Sequence, residues 1–350
     1  MTSSPRTQRS VHIASIMIIV AGVLTLLILA KKILIPIIIA VMLAYATIAL
    51  SQGLASQISQ LTKKYPPLWL THILSIFILG GLVWVVWQIT VSHIGILMNE
   101  IPFYEAQLIT LTNQIGLDAS TQVVEIFNTI NIPGLLGNFA SSLANIGSKA
   151  ILIIIYAIFI LIEFPSIKDK VRYLFRGHES QKTQTKSLLS YIARDVNTYF
   201  KIKTFASIAT AVLCYIVLLI FQVDLALFWA LLVFILNFIP TIGSIIAVLF
   251  PAALTLVQFA SFGKFIVVLL LLIAAQLFIG NIVEPRIAGR ALNISPLVIL
   301  LSLVAAGVLW GVVGMILSVP MIIVIKIIAE QFPQTQSIAV MLSRDGTPSS

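Results

Sequence analysis

Apolar runs of membrane length, separated by short polar stretches, are the dominant pattern along this chain. A helix needs about 20 mostly apolar residues to cross roughly 30 Å of hydrocarbon. Residues 11–30, 33–52 and 68–91 meet that length, and residues 149–164, lengthened by 143–148, form a fourth run. Residues 204–223 and 265–282 supply two more. Two further runs are too long for one straight span. Residues 225–263 carry no charge and are broken at 237–244, NFIPTIGS, where Pro240 and Gly243 interrupt the helical hydrogen-bond ladder. Residues 296–328 are broken at 306–314, AGVLWGVVG, and again at Pro320. Each of these runs is either a kinked span or a re-entrant hairpin. Taken as single spans, they predict eight crossings with both termini in the cytoplasm.

Two stretches read differently. In residues 99–147, apolar positions recur at helical spacing, as in Tyr104, Leu108, Leu111 and Ile115. Pro102, Gly116 and the Pro133-Gly134 pair divide this stretch into short amphipathic helices outside the membrane. In residues 165–203, Leu188, Ile192, Val196, Tyr199 and Lys203 share one face, which predicts an interfacial helix leading into the bilayer. Nine of the 21 Lys and Arg fall in 165–203 and none in 99–147, so the first is expected inside and the second in the periplasm. The expected fold is an all-α integral membrane protein. It has about eight transmembrane helices, two broken or re-entrant segments and a small external helical module. Its expected parts are a three-span bundle (1–98), the periplasmic module (99–147), a fourth span (148–164), the basic loop (165–203), a C-terminal core (204–330) and a cytoplasmic tail (331–350).

Composition agrees. Charged residues make up 9% of the chain, against roughly 25% in a soluble domain. The net charge of +9 would suit nucleic acid, but the basic residues cluster in one loop and do not interleave with aromatics, so that partner is rejected. The lone Cys214 excludes an internal disulfide and a cysteine metal cluster. No nucleotide-binding or H-E-x-x-H motif occurs, and the four histidines form no ligand pair, so no cofactor, metal or enzymatic activity is expected. Any energy that the protein uses must then come from a gradient.

Candidate chemistry sits in two places. In 280–296, GNIVEPRIAGRALNISP, the charges of Glu284, Arg286 and Arg290 are wedged between uncharged runs at 265–283 and 291–325. Such charges belong at a lipid–water boundary or in a polar cavity. Arg286 and Arg290 share a face if the stretch after Pro285 is helical. The stretch is either an interfacial loop with snorkelling arginines or a functional site. NFIPTIGS is likewise a packing corner or a binding element, where Asn237, Thr241 and Ser244 satisfy freed backbone groups.

The segments NFIPTIGSIIAVLFPA, GNIVEPRIAGRALNISPLVILLSLVAAGVLWGVVGMILSVP and QSIAVML resemble the autoinducer-2 exporter family of bacterial inner-membrane proteins. The likeness runs over nearly the whole chain. It implies a multi-span, homo-oligomeric transporter exporting a small hydrophilic solute, with autoinducer-2 the named case. Some members are instead described as sodium–proton antiporters, which makes a coupling proton or sodium ion the alternative. A non-transporting scaffold or receptor working through the external module is the third reading. Under the first, Asn237, Pro240, Thr241, Gly243, Ser244, Asn281, Glu284, Pro285, Arg286 and Arg290 are expected to line one solute cavity. Arg286 and Arg290 would donate to the solute, Asn237 would contact it, and Glu284 would orient the arginines or carry a proton. For the antiporter, Glu284 is the exchanging carboxylate.

Overall fold

The computed structural model describes residues 15–115, 147–174, 179–288, 293–332 and 334–346, apart from residues 16, 20 and 24. Among these residues the regular elements are all helices. They are α1 (Met17–Leu29), α2 (Lys31–Thr62), α3 (Leu68–Ile115), α4 (Ala150–Leu174), α5 (Glu179–Ile220), α6 (Ala226–Leu236), α7 (Ile242–Phe259) and α8 (Phe262–Leu277). A π-helical segment, Phe278–Val283, joins α8 to α9 (Glu284–Ala288), and α10 (Pro296–Gln331) and α11 (Gln336–Leu342) follow. Six helices among the described residues are long and apolar enough to cross a bilayer. The chain is a multi-pass helical membrane protein.

Three local expectations need correction. The first two predicted spans are not separated by a reversal. Ala30 keeps right-handed helical angles, its N–H donates to Leu26 O, and its carbonyl accepts from the Leu34 N–H. Pro102 does not end a helix either: α3 runs through it for 48 residues, a rise of roughly 72 Å. A proline removes one hydrogen bond, a loss that so long a helix can absorb. The rest of the predicted external module, 116–146, lies outside the described residues. Finally, the basic stretch is mostly helix. α4 continues through Pro165 to Leu174, and α5 runs from Glu179 into its span with no Gly or Pro to break it.

Both overlong runs fold back on themselves. At the first, Trp229 of α6 stacks on Phe250 of α7, with ring centroids 6.4 Å apart. At the open end, Gln258 accepts from the Asp224 N–H (2.9 Å) and donates to Gln222 O (3.0 Å). Those contacts require antiparallel arms turning at 237–241. In the second run, Gly311 has φ 64° and ψ −145°, angles that only glycine adopts without strain. Lys326 then donates to Asn293 O at 2.7 Å, although an unbroken helix would hold the two more than about 45 Å apart. α10 is therefore two arms, 296–310 and 312–331.

The two hairpins hang from opposite ends of the membrane-length part of α5, Arg194–Ile220. The first has its base just past Ile220, where Asp224 also accepts from the Tyr104 hydroxyl (3.3 Å). Burial first, then the Asp224 carboxylate, push the Tyr104 phenol above its ordinary range, so it stays a donor. The base of the second packs around Tyr199, with Ile294, Val319, Ile323 and Ile327 buried against it. Tyr199 and Ile220 are roughly 30 Å apart along the helix, the thickness of the hydrocarbon.

The Gln258 clasp gives a direct test. Gln258→Ala removes both hydrogen bonds, each worth about 1 kcal/mol. The Asp224 amide should then exchange with deuterium on the order of tenfold faster, or more, while amides in the middle of α5 keep their rate. Unchanged exchange at Asp224 would mean that the clasp does not hold the hairpin.

Candidate functional site

Helical spacing puts Tyr199, Lys203 and Ser207 one above another on α5. This face is turned inward: Tyr199 and Ser207 are buried, and the Lys203 side chain is only 12% exposed. Against it lie the tip of the first hairpin and the end of α8. Asn237 follows α6, its N–H held by Val233 O. Its side-chain amide donates to Ser207 Oγ (3.1 Å), and its Oδ1 accepts from Gln276 Nε2 (3.0 Å). Four residues down α5, Lys203 Nζ donates to both carboxylate oxygens of Glu284, at 3.1 and 3.2 Å.

The π-helical segment makes this alignment possible. Eight residues of regular helix overshoot two full turns by about 80°, which would aim Gln276 and Glu284 in different directions. The wider turns of Phe278–Val283 take up that excess, and both side chains reach the same face of α5. Such π-turns inside α-helices often mark functional positions. A polar column results, crossing from Tyr199 through the ion pair to the Ser207–Asn237–Gln276 network. Two of its atoms, the Tyr199 hydroxyl and Gln276 Oε1, are buried without a hydrogen-bond partner among the described residues. Buried polar groups normally find partners, so unspent bonding capacity here marks a place where a polar molecule gains something by binding.

At the hairpin tip the backbone is strained. Thr241 has φ 58° and ψ −60°, and the Ile242 N–H turns back to Pro240 O at 2.6 Å. That is a γ-turn of the rare, positive-φ kind, at a β-branched residue. The Thr241 hydroxyl donates to Pro240 O and Ser244 Oγ to Thr241 O, so these side chains are spent on the turn. Gly243 is buried where a Cβ would sit 1.8 Å from Leu236 O.

Of the expected residues, Asn237 and Glu284 enter the column, while Pro240, Thr241, Gly243 and Ser244 build the turn beside it. Asn281, Pro285 and Arg286 are exposed on the far side of the junction. No ion pair joins Arg286 to Glu284 among the described residues; Lys203 holds that carboxylate instead. Arg290 lies outside the described residues. Sequence reasoning missed Tyr199, Ser207 and Gln276 as site residues and took Lys203 for part of an interfacial face. The four-residue repeat of polar groups 199–203–207, and a glutamine inside an uncharged run, were the available signals.

Two hairpins packed against a polar column inside a multi-pass helical protein are the architecture of a membrane transporter. The comparisons with known proteins agree. The sequence profile described as AI-2E family transporter matches residues 15–334, and the chain belongs to that family. It is 34% identical over 284 residues to the AI-2 transport protein TqsA of Escherichia coli K12, covering 78% of this chain and 81% of that protein. A putative transport protein of Haemophilus influenzae is 30% identical over 345 residues, 94% of each chain. A sodium-lithium/proton antiporter of Halobacillus andaensis is 28% identical over 245 residues, covering 68% of this chain and 64% of the other.

Proposed function

We propose that this transporter exports a small, polyhydroxylated solute, autoinducer-2 being the leading case, across the bacterial inner membrane. The solute would bind along the polar column. The observation that carries the reading is the unspent hydrogen-bonding capacity of Tyr199 and Gln276 beside a partly buried ion pair in an apolar protein. A polyhydroxylated molecule needs donors and acceptors together. The column has donors in Lys203, Asn237 and Tyr199 and acceptors in Gln276 Oε1 and Glu284. The name of the Escherichia coli relative points to the same solute.

In this reading 165–203 is cytoplasmic, because it holds nine Lys and Arg. The first hairpin then enters the membrane from the periplasm and the second from the cytoplasm. Both are re-entrant, which lowers the count of true crossings below eight. Flux is driven by the solute or ion gradient, and the working unit is a homo-oligomer. Arg286, which is exposed, acts at the cytoplasmic boundary and not on bound solute.

Cation–proton exchange is the second reading, favoured by a carboxylate in the membrane and by the Halobacillus relative. In that case a cation must displace the Lys203 ammonium from both oxygens of Glu284.

Proteoliposomes loaded with autoinducer-2 test the proposal. Asn237→Leu removes the shared hydrogen-bond node and should slow efflux on the order of ten- to a hundredfold. Arg286→Lys should leave efflux near the wild-type rate. Wild-type efflux in Asn237→Leu, or sodium-driven proton movement without solute flux, would sink the export reading.

A further inference from the structure

A cavity, separate from the polar column, opens between α2, α3 and α4. It has a volume of about 810 Å³. Its walls include Ile39 and Leu43 of α2, Val83 and Trp87 of α3, and Ile154 and Ala157 of α4. No charged residue lines it, and the hydroxyl of Thr47, one of its few polar groups, is already donated to Leu43 O at 2.8 Å. A hydrophilic solute entering here would lose its hydration with little in return. Water gains no more, since apolar cavities of this kind stay dry. The cavity is therefore built for hydrocarbon.

Its length says which hydrocarbon. The lining runs from Ile76 to Trp87 on α3 and from Ala150 to Leu161 on α4, roughly 16 Å along either helix at 1.5 Å per residue. Half of a 30 Å hydrocarbon core is about 15 Å, so the cavity is one leaflet deep. At the Trp87 end, a Cβ added to Gly147 would sit 3.5 Å from the indole, at ordinary contact distance. Between the lining residues Ser148 and Ala150 stands Lys149, the one basic residue between positions 99 and 164.

We propose that this cavity binds one acyl chain of an anionic phospholipid, with Lys149 attracting the phosphate headgroup at its mouth. Ile235 of α6 forms part of the wall, two residues before Asn237. The bound chain thus braces the first hairpin next to the solute column, as a structural lipid and not as cargo.

Gly80 makes the test clean, because it lines the cavity and a Cβ added there meets nothing within 4 Å, which leaves the ring of a larger side chain the cavity itself to occupy. Gly80→Phe should fill the space without disturbing the fold, checked by elution volume and melting temperature. Wild type and variant are reconstituted in nanodiscs of phosphatidylglycerol and phosphatidylethanolamine and extracted into detergent. Phospholipid still bound is then counted by native mass spectrometry. The wild type should retain phosphatidylglycerol. Gly80→Phe should retain at least about tenfold less, since losing even two buried methylenes weakens binding by that factor. Lys149→Gln should keep a lipid but lose the preference for phosphatidylglycerol. A wild type that retains no lipid, or equal retention in Gly80→Phe, overturns the proposal. So does a change of oligomeric state in Gly80→Phe with lipid retention unaltered, because the cavity would then be filled by a second copy of the chain.

Discussion

Gly243→Ala is expected to abolish the folded transporter, although it adds a single methyl group. That methyl would lie 1.8 Å from Leu236 O and 2.9 Å from Ile239 Cβ. The first contact is with backbone, which cannot swing aside as a side chain does. Overpacking a core typically costs 1–3 kcal/mol. A backbone collision at a turn already strained by Thr241 belongs at or above the top of that range, about 3 kcal/mol or more. The same argument applies to Gly314 in the second hairpin, where a Cβ would fall 2.0 Å from Ala306 O. Gly80→Ala is the internal control: it meets no atom within 4 Å and should stabilise α3 by about 0.5–1 kcal/mol. Yield and melting temperature in detergent decide the matter. Should Gly243→Ala and Gly314→Ala melt like the wild type, the hairpin arms are not as close as described.

Breaking the Lys203–Glu284 pair is the second large effect expected. Lys203→Met leaves a carboxylate, and Glu284→Gln an ammonium, unpaired within the span. Removing one member of a buried pair costs about 3–5 kcal/mol, and the partial exposure of these side chains lowers that to roughly 2–3 kcal/mol. The double variant removes both charges and should regain most of the stability. Transport should not return with it, because the site would have lost its strongest donor and its carboxylate. Melting temperatures of the three variants, set beside solute efflux, separate the two roles. Single variants as stable as the wild type would show the pair to be solvated. Normal efflux from the double variant would remove it from the site.

These two predictions differ in how far the sequence foreshadows them. The break at NFIPTIGS is legible because Pro240 and Gly243 stand in an otherwise unbroken apolar run. So is the break near Gly311. What periodicity does not encode is direction: a kinked span and a hairpin place the same residues on the same helical faces. Only long-range contacts, such as Gln258 with Gln222 or Lys326 with Asn293, tell them apart. The partner of Glu284 was hidden for the same reason. Arg286 is two positions away and Lys203 is 81, yet geometry selects the distant one. Pro102 misled in the opposite sense, since a helix this long runs through it unbroken. Gln276 went unnoticed because one amide in an apolar run resembles background until a π-turn aims it at Asn237.

The short first arm of the leading hairpin has a consequence for how the protein is made. α6 has 11 residues and rises roughly 16 Å, half of a bilayer. Emerging alone from the ribosome, it would leave the tip at 237–241 amid lipid tails with its amides and carbonyls unmet. α7 must therefore follow it into the membrane as one unit. The polar tip finds its partners only once α5 and α8 stand on either side, with Ser207 and Gln276 in reach of Asn237. Biogenesis is thus ordered against the direction of synthesis: the fourth helix of this group, α8, has to arrive before the second can settle.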